Sequence, residues 1–276
     1  MTLPEMLQQV RSELGFKTEF TVVMLTMALL LARILPMLTL TPFLGGDVVP
    51  TEVKIGTGLT LGLVMYPLLA ERMKFIPVSA LPFVGLMIKE LFIGLCFAFI
   101  VGMVFEAAQV AGTLIDAMSG TNQAQMLVPQ IGQQVSLFAS LKLQLVVVLF
   151  LTLNGHHLVI AAFAESLEKI PIDQFPKFGS GVWPFFDTMI RIFADLISVG
   201  VAFAAPVLLA TFLTDLSLGM VNRVAPQVQV FFVSMQIKPL VTVMIMFIAI
   251  QVIMERVVDE YQGMLRLFEL AVQKLS

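Results

Sequence analysis

The sequence predicts an all-α integral membrane protein with about six apolar helical segments, several of them broken or hairpin-like. Of its 276 residues, 58% are hydrophobic and 13% are charged, whereas charged residues make up about a quarter of a soluble domain. Several apolar runs also reach the roughly 20 residues that a helix needs to cross a bilayer. We treat residues 1–276 as one domain built from these segments.

Charge and cysteine content exclude several classes of function. The net charge is −3, and the lysines and arginines form no basic patch, so nucleic-acid binding is not expected. One cysteine, Cys96, cannot form an internal disulfide or a cysteine metal site, and we expect no cofactor. The first residues lack the basic start of a cleaved signal, so the first span is expected to direct insertion.

The chain begins with a predicted interfacial helix and a first span. Residues 1–19 carry apolar side chains at helical spacing opposite acidic ones, which favours a helix lying at the membrane interface. The first span, Phe20 to Leu40, contains Arg33 near its middle. A central arginine costs several kcal/mol unless it is paired or hydrated, so Arg33 should face other helices.

Two further apolar segments follow before residue 120. The turn Pro42–Gly56 leads into a short segment of about Ile55–Ala70, and a run from Pro82 to Ser119 is nearly twice the length of one span. This run contains the charged residues Lys89, Glu90, Glu106 and Asp116. Because neighbours on a helix point about 100° apart, Lys89 and Glu90 should reach different partners. They are either a pair snorkelling at the membrane boundary or ion pairs between helices of an assembly.

The segment 120–136 is polar but carries no charge, and it lies between two apolar runs. Its amides are Asn122, Gln123, Gln125, Gln130, Gln133 and Gln134. Gly120, Pro129 and Gly132 oppose a continuous helix. Irregular backbone at membrane depth requires burial in protein or a cavity. We therefore interpret this segment as a loop in or over a conduit; the alternative is an ordinary extramembrane loop.

The remaining apolar helices occupy residues 137–254. Leu137–Leu167 contains Lys142 near its start and the adjacent His156 and His157 in its middle. Adjacent histidines point to different helix faces, unlike the i, i+4 pair that grips one metal, so a helix break at the membrane surface is favoured over metal binding. Residues 168–184 then form a connecting loop.

The last part of the chain is predicted to hold two spans and a tail. The run Phe185–Leu218 is expected to be kinked or broken by Pro206, and its Arg191 can pair with either flanking aspartate, one turn away. A polar break with Arg223 is expected at 215–229, followed by a span at Val230–Met254. Residues 255–276 are predicted to form an amphipathic cytoplasmic tail. Loop lysines and arginines place both termini in the cytoplasm.

Motifs along nearly the whole chain resemble one family. They are Arg33 with its following proline, PFLGGDVVPTEVKIG at Pro42–Gly56, KELFIG at Lys89–Gly94, AGTLIDAMSG at Ala111–Gly120, LNGHHLVI at Leu153–Ile160, and LTDLSLGMVNRVAPQVQVF at Leu213–Phe231. In this order they resemble the type III secretion export-gate proteins, called FliR in flagella and SctT in injectisomes.

The resemblance implies a bacterial inner-membrane subunit of a helical, cone-shaped gate that passes unfolded secreted proteins. The implied partners are P-type and Q-type subunits, the B/U-type switch protein and the large A/V-type export protein, besides membrane lipid. The polar segment matches the family's pore plug, which assigns this role to Gly120, Asn122, Gln123, Gln125, Met126, Pro129, Gln130, Gln133 and Gln134. Here Val128 stands before Pro129, where the family usually has an acidic residue.

Charges inside the apolar runs are expected to be satisfied between subunits or within the membrane. The candidates are Arg33, Lys89, Glu90, Glu106, Asp116, Lys142 and Arg223. A lone chain in lipid should leave them unpaired, so we expect stability only in complex. The alternative is a secondary transporter with midplane charges, but the two halves of the chain lack matching breaks. An intramembrane enzyme is not expected, because an HExxH motif and a serine constellation are both absent.

Overall fold

The computed structural model describes residues 20–43, 49–70, 79–121, 136–176 and 182–275. Seven α-helices and no strands occur within these ranges, which confirms the all-α prediction. They are α1 (Phe20–Leu40), α2 (Thr51–Ala70), α3 (Ala80–Ser119), α4 (Leu137–Thr152), α5 (Gly155–Lys169), α6 (Trp183–Val224) and α7 (Val230–Leu275). The predicted interfacial helix at 1–19 lies outside the described residues.

Helix α3 is the centre of the fold. Most of its second half is buried, and α1, α4, α6 and α7 all pack against it. Two ring contacts give the direction of one neighbour. Phe97 lies 4.4 Å from Phe268, and Phe105 lies 6.1 Å from Tyr261, so α7 runs antiparallel to α3. An apolar helix surrounded by other helices has few positions that face solvent or lipid, which explains why α3 is hydrophobic on nearly all sides.

Two glycines allow helices to approach α3 closely. A Cβ at Gly94 would lie 2.4 Å from the backbone oxygen of Arg33 in α1. A Cβ at Gly112 would lie 2.2 Å from the Cα of Ala139 in α4. Small residues at such crossings let helix backbones touch, which is the usual way that apolar helices gain packing energy in a membrane.

The predicted break in the fourth apolar run is present between α4 and α5. The two helices are bent by 72°, and Asn154 adopts a left-handed φ of 56° at the joint. Four other helices are long and apolar enough to cross a membrane, and the bent pair adds a fifth candidate. With α2, these elements account for the six predicted apolar segments.

The structure corrects the predicted boundaries in the last third of the chain. Helix α6 continues through Pro206, and the polar break begins at Ala225 rather than Asp215. Neighbouring helices and local adjustments let apolar helices tolerate an internal proline. Asp215 lies inside the helix, and its partly exposed side chain pairs with Lys238 of α7 across the turn.

The predicted tail is a continuation of the last span in one 46-residue helix. The two parts of α7 differ in burial. Only 6% of its most apolar window is buried, whereas Val257, Met264, Phe268 and Val272 in the second part are 0–2% exposed. The tail is therefore amphipathic as predicted, and its apolar face packs on the core of this chain.

Candidate functional site

A buried ion pair joins α1 to α3. Arg33 and Glu90 have fully buried side chains. The Nε of Arg33 donates to one carboxylate oxygen of Glu90, and Nη2 donates to the other at 2.9 Å. This two-pronged geometry suits the planar guanidinium and fixes the relative position of the two helices. The prediction that Arg33 faces other helices is confirmed.

Backbone carbonyls complete the surroundings of Arg33. Its Nη1 donates to the carbonyl of Ser166 at 3.3 Å, and its Nη2 donates to that of Ile170 at 3.0 Å. Both carbonyls lie at the C-terminal end of α5, where the backbone oxygens carry partial negative charge, and the Ser166 carbonyl also accepts a hydrogen bond from the N–H of Ile170. Arg33 therefore stabilises the end of α5 while it pairs with Glu90.

Lys89 joins the same cluster. Its Nζ forms an ion pair with Glu90 and donates to the carbonyls of Pro171 at 2.9 Å, Ile172 at 3.3 Å and Gln174 at 2.9 Å. The expectation that Lys89 and Glu90 do not pair with each other is wrong, because the long lysine side chain bends towards the same junction. Each residue does reach a different further neighbour, since Glu90 contacts Arg33 and Lys89 contacts backbone carbonyls. Two cations thus share one carboxylate, and the carbonyls of residues 166–174 accept the remaining hydrogen bonds.

These contacts also correct the expectation that a lone chain leaves the charges unpaired. Arg33, Lys89 and Glu90 are satisfied by one another and by backbone oxygens of the same chain. Lys142 is likewise buried, and its Nζ donates to the carbonyl of Phe203 in α6 at 2.7 Å. The cluster holds together α1, α3, α5 and the α5–α6 connection.

Asp116 lies at the base of the polar segment and contacts both of its ends. One carboxylate oxygen accepts a hydrogen bond from the Thr121 hydroxyl at 2.7 Å. The other accepts hydrogen bonds from the Ser136 hydroxyl and from the backbone N–H groups of Phe138 at 3.1 Å and Ala139 at 3.3 Å. Asp116, only 1% exposed, thus caps the N-terminus of α4, where a carboxylate is favoured.

The polar segment itself is described only at its edges. Gly120 ends α3 with a left-handed φ of 77°, a conformation that glycine adopts without strain. The predicted plug residues Asn122, Gln123, Gln125, Met126, Pro129, Gln130, Gln133 and Gln134 lie outside the described residues. What the structure adds is that Thr121 and Ser136, on either side, meet at one carboxylate.

Two predicted charges have surroundings unlike those of the buried cluster. Glu106 is exposed on α3 and has no hydrogen-bond or ion-pair partner among the residues that the structure describes. Arg223 is exposed in the last turn of α6, where a cation is favoured at the negative end of the helix. The site residues therefore form two groups, one buried in the chain and one on its surface.

The histidines and the α6 charges show simpler contacts. The rings of His156 and His157 lie 4.2 Å apart, so they do not project to separate faces. The described part of the chain contains no group of three histidine, cysteine or acidic residues that could hold a metal ion. Arg191 pairs with Asp187 at 2.7 Å, as the spacing predicted.

Several contacts had no signal in the sequence. The carbonyls that receive Arg33 and Lys89 belong to backbone, which any residue type supplies. The buried Tyr261 hydroxyl donates to the carbonyl of Val146 at 2.6 Å, which ties the tail of α7 to α4. The Asp215–Lys238 pair could have been anticipated, because opposite charges flank a proline-containing turn.

Comparison with known proteins agrees with this architecture. Residues 24–264 match the family of bacterial export proteins, family 1. The chain belongs to this family. It is 26% identical over 256 residues to the flagellar biosynthetic protein FliR of Aquifex aeolicus (strain VF5), covering 92% of this chain and 96% of that protein. It is also 33% identical over 166 residues to FliR of Bacillus subtilis (strain 168), covering 60% of this chain and 63% of that relative.

Injectisome relatives match as well. The chain is 27% identical over 226 residues to the Yop proteins translocation protein T of Yersinia pestis, covering 82% of this chain and 85% of that protein. This member of the FliR/SctT family is thus a component of a type III secretion export apparatus. Its apolar helices agree with a multi-pass protein of the inner membrane.

Proposed function

We propose that this family member forms, with P-type and Q-type subunits, a protein-conducting pore for unfolded substrates. In this proposal residues 120–136 help to close the pore when no substrate is present. The B/U-type switch protein and the large A/V-type export protein are its further neighbours, and both termini face the cytoplasm. The single observation that carries the closing role is the convergence of Thr121 and Ser136 on the buried carboxylate of Asp116.

The Asp116 contacts support a closing role because they fix the point where the polar segment leaves the helical body. A segment with both ends held at one point can be displaced as a unit and can return to the same place. Loop closure costs less entropy when the ends are already together. The end of α3, where Met118 is exposed, is then the mouth of the proposed pore.

The residue types in the segment support the same role. A pore for many substrates must not bind any one side chain strongly, while its closed state must exclude ions. Amide side chains hydrogen-bond without a fixed charge, and methionine packs adaptably against different neighbours. The segment offers Asn122, Gln123, Gln125 and Met126 and has no charged residue.

The outer half of the α6–α7 hairpin supports a role in an assembly. Leu213 and Met220 of α6 are 61% and 71% exposed, and Phe247 of α7 is 79% exposed. Apolar side chains of this size need lipid or protein around them. In the proposed gate, partner subunits cover part of this hairpin, while the charged cluster holds the rest of the chain together.

The test replaces residues 122–134 by a glycine–serine sequence of equal length in the whole chain, co-expressed with its genomic neighbours. The change retains Thr121, Ser136 and the Asp116 contacts. We expect a complex of normal size that leaks small ions across the membrane while still passing substrate. A matched control replaces the partly exposed Glu165–Lys169 pair by glutamines and should not leak. An intact complex that stays ion-tight, or loss of all transport without leakage, would contradict the proposed closing role.

Reversing the charge of Lys89 is a second test. We expect Lys89→Glu to prevent assembly, because the variant would place two buried carboxylates beside one arginine and lose three carbonyl contacts. The effect should arise within the chain, so the variant should be poorly folded before it meets a partner. Normal assembly and secretion by this variant would contradict the structural role of the cluster.

A further inference from the structure

Helix α3 presents an outward stripe that ends at Glu106. Ile88, Phe92, Leu95, Phe99, Gly102 and Glu106 follow one another at alternating spacings of four and three residues. This is the spacing of a seam that packs against a second helix. Although most of α3 is buried, Ile88, Phe92 and Leu95 are 62%, 40% and 42% exposed. Phe99 is half-buried and Gly102 is buried, and the rings of Phe92 and Phe99 lie 6.2 Å and 6.4 Å from those of Phe185 and Phe193 in α6. The fold of this chain therefore covers the seam only in part.

The chemistry of the seam changes at Glu106. This carboxylate lies in the middle of a helix long and apolar enough to span a membrane. It is exposed and has no ion-pair partner among the residues described, in contrast to Glu90 on the same helix. An acid in such surroundings is costly unless a cation or water meets it. The apolar side chains before it argue against a water-filled channel along this face.

Gly102 marks where a partner could come close. Gly102 itself is buried. A Cβ placed on it would nevertheless meet nothing within 4 Å, whereas one on Gly94 or Gly112 would collide with backbone of this chain. Helix crossings within this chain therefore explain Gly94 and Gly112, but they do not explain Gly102. A small residue beside a polar one is typical of helix interfaces within membranes.

We infer that this seam binds one apolar helix of another subunit, and that a lysine or arginine in that helix pairs with Glu106. The inference rests on the proposed function, since it names the chemistry by which the export component recognises a neighbour. A second copy of this chain is a poorer occupant. Within the described apolar helices, Lys238 and Arg191 are paired with aspartates, and Lys142 is buried. Lys54 and Arg223 lie in the terminal turns of α2 and α6 rather than inside an apolar stretch. The apolar residues provide contact area, and the single charge pair sets the register.

Photo-crosslinking identifies the occupant directly. Leu95 is replaced by p-benzoylphenylalanine in the full chain, co-expressed with its genomic neighbours, and cross-linked peptides are identified by mass spectrometry. We expect a peptide from an apolar helix of another subunit that contains lysine or arginine. The same replacement at Val148, which is 65% exposed on α4, is the control and should not capture that peptide. Products with only lipid, or with a second copy of this chain, would overturn the inference.

Charge variants test the role of Glu106. We expect Glu106→Gln to lower the yield of purified complex several-fold, and Glu106→Lys to abolish it unless the captured helix carries the opposite change. Glu165→Gln, an exposed acid outside the seam, should leave the yield unchanged. Protection of Cys96 from a thiol reagent shows that each variant is folded, because this thiol is 8% exposed.

The outcomes separate the two proposals. If the wild-type chain forms no complex with its neighbours, both the proposed function and the seam fail. If the wild-type complex forms and Glu106→Gln matches it in yield, only the seam is refuted. If Glu106→Lys is rescued by the opposite charge on the captured helix, a merely structural role for Glu106 is excluded.

Discussion

The buried Arg33–Glu90 pair gives the sharpest prediction of stability. Glu90→Gln keeps the shape of the side chain and removes its charge. Arg33 and Lys89 then remain buried without the carboxylate that both contact. The glutamine oxygen can accept one of the former hydrogen bonds, whereas its NH₂ group would face a guanidinium donor. The loss of stability in this variant therefore reports the two buried cations left without a carboxylate, and not a loss of packing.

The structure sets the size of the effect. Both side chains of the pair are 0% exposed, and removing one partner of such a pair typically costs about 3–5 kcal/mol. With a shift of about 2–4 °C in Tm per kcal/mol for a chain of this size, Glu90→Gln should melt roughly 6–20 °C lower. The control Glu165→Gln removes an i, i+4 pair whose side chains are 37% and 48% exposed. That pair should be worth only about 0.3–0.5 kcal/mol.

The single cysteine provides the assay. Cys96 is 8% exposed on α3, so a dye that fluoresces after reacting with a thiol reports opening of the core. Melting curves of the wild-type chain, Glu90→Gln and Glu165→Gln are compared in the same detergent. Coincident curves for the two variants would refute the reasoning, since they would show that the buried cluster contributes no more than a surface pair.

Three further predictions concern other contacts. Asp116→Ala should make the chain more susceptible to limited proteolysis between α3 and α4. Ser136→Ala loses one of the hydrogen bonds to Asp116, so its susceptibility should rise by a smaller amount. Equal digestion of both variants and the wild-type chain would contradict the anchoring role. Gly112→Ala should sharply reduce the folded fraction on size exclusion, because its Cβ would lie 2.2 Å from backbone of α4; a normal elution profile would be the contrary result. Exchanging the charges of Asp215 and Lys238 should restore most of the roughly 0.2–1 kcal/mol that either alanine variant loses in thermal unfolding.

Hydropathy predicted the presence of the helices correctly but misplaced some of their ends. A bilayer requires apolar segments of a given length, so each run in the sequence corresponds to a helix or to the bent α4–α5 pair. Prolines were less informative about where a helix ends. Pro206 lies inside α6, whereas the turn at 225–229, which contains Pro226, ends the helix. The difference depends on whether neighbouring helices satisfy the freed backbone groups, which local sequence does not record.

The same limit explains which parts of the site could be predicted. A charge within an apolar run shows that it needs a partner, and this reasoning correctly indicated that Arg33 faces other helices. It could not identify the partners, because Glu90 lies on another helix and the other acceptors are backbone carbonyls of Ser166 and Ile170. Glu106 and Glu90 also have the same residue type and lie on the same helix. Only the packing of α1 and α5 distinguishes the buried acid from the exposed one.

The positions of the charges also bear on the order of assembly. Because Arg33, Lys89 and Glu90 are satisfied within the chain, folding of the body around α3 does not require another subunit to neutralise them. The tail of α7 adds to this body through the Tyr261 contact with α4. What remains for lipid or partners is apolar surface on the α6–α7 hairpin, together with the seam that ends at Glu106. Hydrophobic contact is tolerant of register, whereas one buried ion pair is not. An arrangement with many apolar contacts and the acid Glu106 at the end of the seam therefore favours docking of an already folded chain in one defined position.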